Sequence, residues 1–192
     1  MTRSETNPSP RRQELLEAAY AYALRSGLSE LSLRPLAEAI QSSPRVLLYL
    51  FGSKDGLIRA LLARARADEL ALVQEVADSR NESDGLQSVA RRLWRWLSDD
   101  AHRGLLTLWV ESYARSLINP GGPWTDFARD TVGDWLSLLA ACQPGAVRDT
   151  EAALAQRTLV LAVLRGALLD LLATGDAART TAAVNLQLAR LE

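Results

Sequence analysis

Residues 33–59, LRPLAEAIQSSPRVLLYLFGSKDGLIR, leave the chain little choice of local structure. Leu33, Leu36, Ala37 and Ile40 recur at i, i+3, i+4 and i+7, so four apolar groups share one helix face and that face needs a partner. Ser32 stands as the N-cap, and Pro35 falls in the first turn, where amide donors are unpaired anyway and losing one costs little. Gln41-Ser42-Ser43 breaks the period. Ser43-Pro44 restarts it as a cap followed by proline at the first helical position. The second helix is then only about two turns long. Its Leu47 and Phe51, four apart, can pack on the first helix, which leaves Arg45, Val46, Leu48 and Tyr49 pointing elsewhere. Gly52-Ser53 ends it, and Lys54 opens a third helix.

Two short helices joined by a three- to four-residue turn have the layout of a DNA-binding helix-turn-helix. A helical hairpin inside any all-α core has the same spacing. The surrounding residues favour the first reading. LLEAAYAYALRSGLSELSLRPLAEAI followed by SSPRVLLYLFGSKDGLIRALL, residues 15–62, resembles the tetracycline-repressor (TetR) family of bacterial transcriptional regulators, and the Phe51-Gly52-Ser53-Lys54-Asp55 corner is the most specific part. About a quarter of the chain carries the likeness. It departs from the family pattern at Gln41, where glycine is usual, at Pro44 in place of a frequent lysine, at Leu48 in place of a common tyrosine, and at Leu50, where His or Tyr often precedes the Phe. The operator sequence is therefore not carried over by the resemblance.

The charge pattern points the same way. The net charge is only −1, but residues 1–66 hold ten Arg/Lys and six Asp/Glu (10 − 6 = +4), and residues 67–192 hold twelve and seventeen (12 − 17 = −5). A cationic head is followed by an acidic body. The chain's single lysine is Lys54, at a helix start where ammonium and helix dipole can both meet a phosphate. A solvated surface lysine is the plain alternative. In the reading helix Arg45 can fork onto a guanine edge or clamp a phosphate, Val46 and Leu48 can touch thymine methyls, and the resemblance implies a phosphate role for Tyr49. Ser32 and Arg34 face the backbone as position-setting contacts, and Ser43 joins this DNA-facing set. Arg3, Arg11 and Arg12 form either a backbone-reaching arm or a solvated tail.

The first helix spans about 11–26, with Leu15, Ala18, Ala19, Tyr22 and Ala23 as its apolar face and Gly27 as its stop. The third-helix period continues through Leu57, Ile58, Leu61, Leu62 and Ala65 to about residue 79. Further helices are expected at about 85–99, 103–118, 123–142, 146–173 and 176–191, with no convincing strand. The expected fold is all-α: a three-helix DNA-binding domain over 1–56 with a flexible N-terminal arm, and a helical effector-binding and dimerisation domain over 57–192. At 192 residues and 48% hydrophobic composition the chain can bury a good core.

All five tryptophans lie in the second part. Core packing is the usual fate of such aromatics. Trp94, Trp109, Tyr113, Trp124, Phe127 and Trp135 would equally suit a small-molecule pocket, with Arg165 and Asp170 to orient a polar group. The resemblance implies an effector pocket here. A salt bridge within the helix pair or across a dimer is the competing account of those two charges. LVLAVLRGALLDLL, residues 159–172, is apolar on nearly every face and must be covered all round. Leu161, Leu164, Leu168 and Leu172, with Leu186 on the last helix, are expected at a four-helix dimer contact, the contact the family implies. A buried central helix would need no dimer.

Other classes find little support. Cys142 and His102 are the only cysteine and histidine, too few for a structural zinc site, and no metal or cofactor is expected. His102 beside Asp99-Asp100 is better read as a residue at a solvated helix end than as a catalytic base, so no enzyme is expected. No run of about eighteen uncharged apolar residues occurs, and residues 1–10 lack a signal-peptide core, so a cytoplasmic location without membrane insertion is expected. The functional expectation is a homodimeric regulator, most often a repressor in this family, released from a palindromic double-stranded operator by a small-molecule effector. The alternative is a helical ligand carrier or adaptor of the same fold without DNA binding.

Overall fold

The computed structural model describes residues 9–28, 31–78 and 85–191, and Arg3 and the rest of residues 1–8 lie outside them. Among the described residues the regular elements are nine α-helices and three 3-10 turns, with no strand.

Helix α1 (Pro10–Ser26) starts on Ser9, whose hydroxyl accepts from the Arg12 amide, and ends at Gly27 with φ 74°. Its buried face is Leu15, Leu16, Ala19, Tyr20 and Ala23. The expected face is thus widened: Leu16 and Tyr20 are fully buried as well, while Tyr22 packs half-buried against the same core and Ala18 stays half-buried. Tyr20 has a polar tip to satisfy, and its hydroxyl donates to Asp68 at 2.8 Å. Arg64 lies over the ring at 4.9 Å and also pairs with Glu17 at 2.9 Å and with Asp68.

Helix α2 (Leu33–Ala39) ends in a Schellman arrangement: Ser42 N donates to Ala37 O at 2.8 Å and Gln41 N to Glu38 O at 3.2 Å. Gln41 occupies the left-handed position with φ 52°, where a Cβ is strained and glycine is the common solution. Gln41→Gly is therefore expected to stabilise the head by about 0.5–1 kcal/mol, the relieved strain being partly offset by glycine's greater unfolded-state freedom. Thermal melts of the two proteins check this, and a lower melting temperature for the glycine variant would contradict it. Helix α3 (Pro44–Phe51) is capped by Ser43, whose hydroxyl accepts from the Val46 amide at 3.3 Å. Gly52 ends it at φ 77°.

Helix α4 (Lys54–Asp78) opens on Ser53, whose hydroxyl accepts from the Gly56 amide at 2.9 Å. Leu57, Ile58, Leu61, Leu62 and Ala65 are all buried and close the head's core with Leu36, Leu47 and Phe51. Helices α5 (Leu86–Leu97), α6 (Arg103–Ile118), α7 (Phe127–Ala141), α8 (Glu151–Thr174) and α9 (Ala177–Leu188) build the body. The 3-10 turns are Asp100–His102, Gly122–Trp124 and Ala189–Leu191. Helix α7 starts later than its apolar period suggests because Asp126 is left-handed, φ 63°, and breaks the chain after the second 3-10 turn. Helix α8 starts at the Thr150 cap rather than near residue 146.

Head and body share helices. Leu108 of α6 and Phe127 of α7 belong to the head's core cluster, and Glu111 of α6 accepts from the Leu28 amide at 2.8 Å, just past the end of α1. Gly104 lets α6 approach α1 closely: a Cβ there would lie 2.7 Å from Leu24 O. By length and hydropathy α8 could cross a membrane, yet one face of it, Val160, Leu161, Leu164, Leu168 and Leu171, is packed into the body's own core.

Candidate functional site

Two sites stand out. The first is the outer face of α3. With Leu47 and Phe51 buried, the 100° step of the helix turns Arg45, Val46, Leu48 and Tyr49 to the surface. Tyr49 is 86% exposed, an unusual degree for a tyrosine and one that no core demand explains. Arg34 at the front of α2 and Lys54 at the front of α4 are exposed on either side of the short helix. Ser32 is extended and exposed and makes no cap hydrogen bond with its side chain, whereas the Ser43 hydroxyl is spent on its cap. Arg11 and Arg12 are part of α1 rather than of an arm. Arg11 pairs with Glu14 at 2.8 Å. Arg12 reaches the end of α3, donating to Leu50 O at 3.3 Å and stacking over Phe51 at 4.9 Å.

The second site is a cavity in the body walled by α4, α5, α6, α7 and α8. Ala65, Arg66, Glu69, Trp96, Leu105, Leu108, Trp109, Phe127, Trp135, Leu161, Leu164, Arg165 and Leu168 surround it together with Leu97 and Leu106. Its volume is about 40 Å³, room for about three waters where one needs about 10–15 Å³. A larger occupant requires side chains to move. The wall is apolar apart from a few groups. Trp135 Nε1 donates to Glu69, and Arg66 pairs with Asp134 at 2.5 Å. Arg165 sits over the rings of Trp109 and Tyr113, at 5.3 and 5.1 Å, and its Nη1 reaches the Tyr113 hydroxyl at 3.4 Å. Burial pushes the Glu69 carboxyl up toward its neutral form, against the Trp135 hydrogen bond and Arg66. Burial likewise pulls the Arg165 guanidinium down.

Of the expected ligand residues, Trp109, Phe127, Trp135 and Arg165 line this cavity, and Tyr113 stands behind Arg165. Trp94 does not. It is buried between α5 and α9 and donates to the Thr181 hydroxyl at 3.0 Å. Trp124 packs against the head's core instead. Asp170 faces away and is held in a fork by Arg179, with both oxygens at 2.7 Å. That helix-pair salt bridge holds its carboxyl below the usual range. Glu69, Arg66 and Trp96 were not expected at the cavity. A signal existed for two of them: Glu69 extends the stripe Leu57-Leu61-Ala65 by four residues, and Arg66 extends Ile58-Leu62. A charge that continues an apolar stripe marks a polar group aimed inward.

The expected dimer residues need correction. Leu161, Leu164 and Leu168 are 5%, 1% and 2% exposed and face the chain's own core, so a second copy cannot reach them. Leu172 is half-buried on the same core. Leu186 is 64% exposed, and α8 presents its other side as Leu159, Ala162, Gly166 and Leu169. His102 stacks on Trp96, centroids 4.0 Å apart, and its Nδ1 meets Trp96 O at 3.0 Å. Asp99 accepts from the Ala101 amide, as a cap.

No protein-family model matches the chain, and no curated protein matches it. Solved structures do, over nearly its whole length. A member of the TetR family from Streptomyces coelicolor is 26% identical with a TM-score of 0.70, covering 95% of this chain and 98% of its own. The multidrug binding protein EbrR, complexed with imidazole, is 27% identical with a TM-score of 0.67, covering 100% and 96%. A TetR transcription regulator from Haloarcula marismortui is 16% identical with a TM-score of 0.71, covering 93% and 94%. The chain therefore has the fold of TetR-family transcriptional regulators from end to end.

Proposed function

We propose that the chain is a homodimeric DNA-binding transcriptional regulator, a repressor that leaves a palindromic operator when a small molecule fills the body cavity. The observation that carries this is the outer face of α3: Tyr49, Arg45, Val46 and Leu48 crowd an eight-residue helix with no packing duty on that side. The matching neighbours are regulators and a drug-binding protein rather than enzymes. EbrR's occupancy by small molecules supports reading this chain's cavity as an effector site.

The dimer is supported by α8 and α9, whose outward stripes of Leu159, Ala162, Gly166 and Leu169 and of Ala182 and Leu186 are small or apolar. Two copies packed on them make a four-helix bundle and set two α3 helices roughly 34 Å apart or a little more, one DNA turn. The effector binds the form whose heads are badly spaced. A 100-fold preference supplies about 2.7 kcal/mol, enough to empty a marginally held site.

Selection of binding sequences from random duplexes, followed by gel shift, tests the reading. A palindromic consensus supports it; a chain that captures no duplex at low salt is a ligand carrier instead. On the selected site, Lys54→Ala is expected to weaken binding equally on every sequence and to lower the salt slope by about one. Arg45→Ala is expected to cost about 1–3 kcal/mol on the selected sequence and to relax choice at one base position. Discrimination lost with Lys54 but kept without Arg45 would reverse the two assignments.

A further inference from the structure

The polar inventory of the cavity is lopsided. Of its charged lining residues, Arg66 is answered by Asp134 and Glu69 receives a hydrogen bond from Trp135. Arg165 Nε and Nη2 and Trp109 Nε1 are buried and have no hydrogen-bond partner, and no oxygen of a lining residue is left in that state. The cavity holds three buried donors in want of acceptors. Arg165 is held in place by the faces of Trp109 and Tyr113 and by a long hydrogen bond to the Tyr113 hydroxyl, not by a carboxylate. Its Nε and Nη2 are the parallel edge of the guanidinium, the edge that matches the two oxygens of one carboxylate.

Resting on the reading of this cavity as the effector site, we infer that it takes a small monocarboxylate with an apolar body, its oxygens accepting from Arg165 Nε and Nη2 and from Trp109 Nε1. The apolar remainder lies against Leu105, Phe127, Leu161 and Leu164. A cationic ligand would leave all three donors unanswered and would face the Arg165 charge. Glu69 is the acidic group on the wall, within electrostatic reach of Arg165; its burial raises the carboxyl's pKa, which lessens its opposition to an anion. The small volume favours a body of ring or short-chain size, seated after a shift of the side chains around it.

The test uses the full chain and two sets of probes with matched bodies: benzoate, benzylamine and benzyl alcohol, then hexanoate, hexylamine and hexanol. Trp96, Trp109 and Trp135 line the cavity, so tryptophan fluorescence reads occupancy and calorimetry reads affinity. The carboxylates are expected to bind at least tenfold more tightly than the alcohols, and the amines more weakly still. Arg165→Gln should remove at least tenfold of the carboxylate affinity and leave the alcohols within about twofold. Trp109→Phe keeps a ring, removes the donor, and should cost the carboxylates about threefold, which separates recognition from folding. Tighter binding of the amines, above all if Glu69→Gln abolishes it, overturns the inference, as does failure of both carboxylates to bind. Duplex binding is measured separately. A chain that ignores DNA yet binds the carboxylates keeps this inference and loses the regulator. A chain released from its duplex by the amines alone does the reverse.

Discussion

Gly56→Ala is expected to lower the stability of the head by about 3 kcal/mol or more and to abolish duplex binding with it. An ideal Cβ on Gly56 lies 2.0 Å from Phe51 O and 3.2 Å from Phe51 C, both main-chain atoms that cannot swing aside. The only relief is to part the end of α3 from the start of α4, which loosens the Ser53 cap on the Gly56 amide and draws Phe51 out of the core. For a chain of this length the melting temperature should fall by roughly 6–12 °C. Gly133→Ala is the matched control: nothing lies within 4 Å of a Cβ there, mid-way along α7. It should be neutral or stabilise by up to about 1 kcal/mol, the helix-propensity gain. Differential scanning calorimetry on both variants decides; a Gly56→Ala protein melting within about 1 °C of its parent would show that the corner is not as tight as drawn.

The second large effect concerns assembly. Leu169→Glu combined with Leu186→Glu is expected to leave each chain folded but single, because these side chains are 51% and 64% exposed and neither belongs to the buried core of its own chain. Two carboxylates on each copy would then meet across a four-helix contact with no water to solvate them. A lone chain offers one reading helix, so affinity for a palindromic site should drop by about 100-fold or more. Sedimentation at micromolar concentration reads the mass and gel shift reads the affinity. A double variant that still sediments as a dimer would move the interface elsewhere. Leu164→Glu at 1% exposure would unfold the body instead, and so could not answer the question.

The head was legible because its signals are local. Ser43-Pro44, Gly52-Ser53 and the spacing of Leu57, Ile58, Leu61, Leu62 and Ala65 each act within one or two turns, and the helices start, stop and face as those residues dictate. Where a side chain's direction depends on a distant partner, the same reasoning slipped. Tyr20 is turned in by Asp68, and Asp170 is turned out by Arg179. Trp94 and Trp96 are two residues apart, a turn of about 200° on a helix, and only packing decides which of them sees the cavity. Helix α8 is apolar on both sides, so periodicity does not say which side its own chain covers. Leu161, Leu164 and Leu168 lie on the side that faces the chain's own core, which only the packing reveals.

Leu108 is a party wall. The same side chain closes the body cavity and fills a slot in the head's core, with Trp109 beside it at the cavity and Glu111 nearly one turn on, accepting from the amide of Leu28. The body cavity and the head's core therefore share a side chain, and no relay of intermediate residues has to be supposed between them. On the effector reading proposed above, a guest that displaces Trp109 acts on the same helix that carries Leu108 into the head's core and Glu111 onto the end of α1.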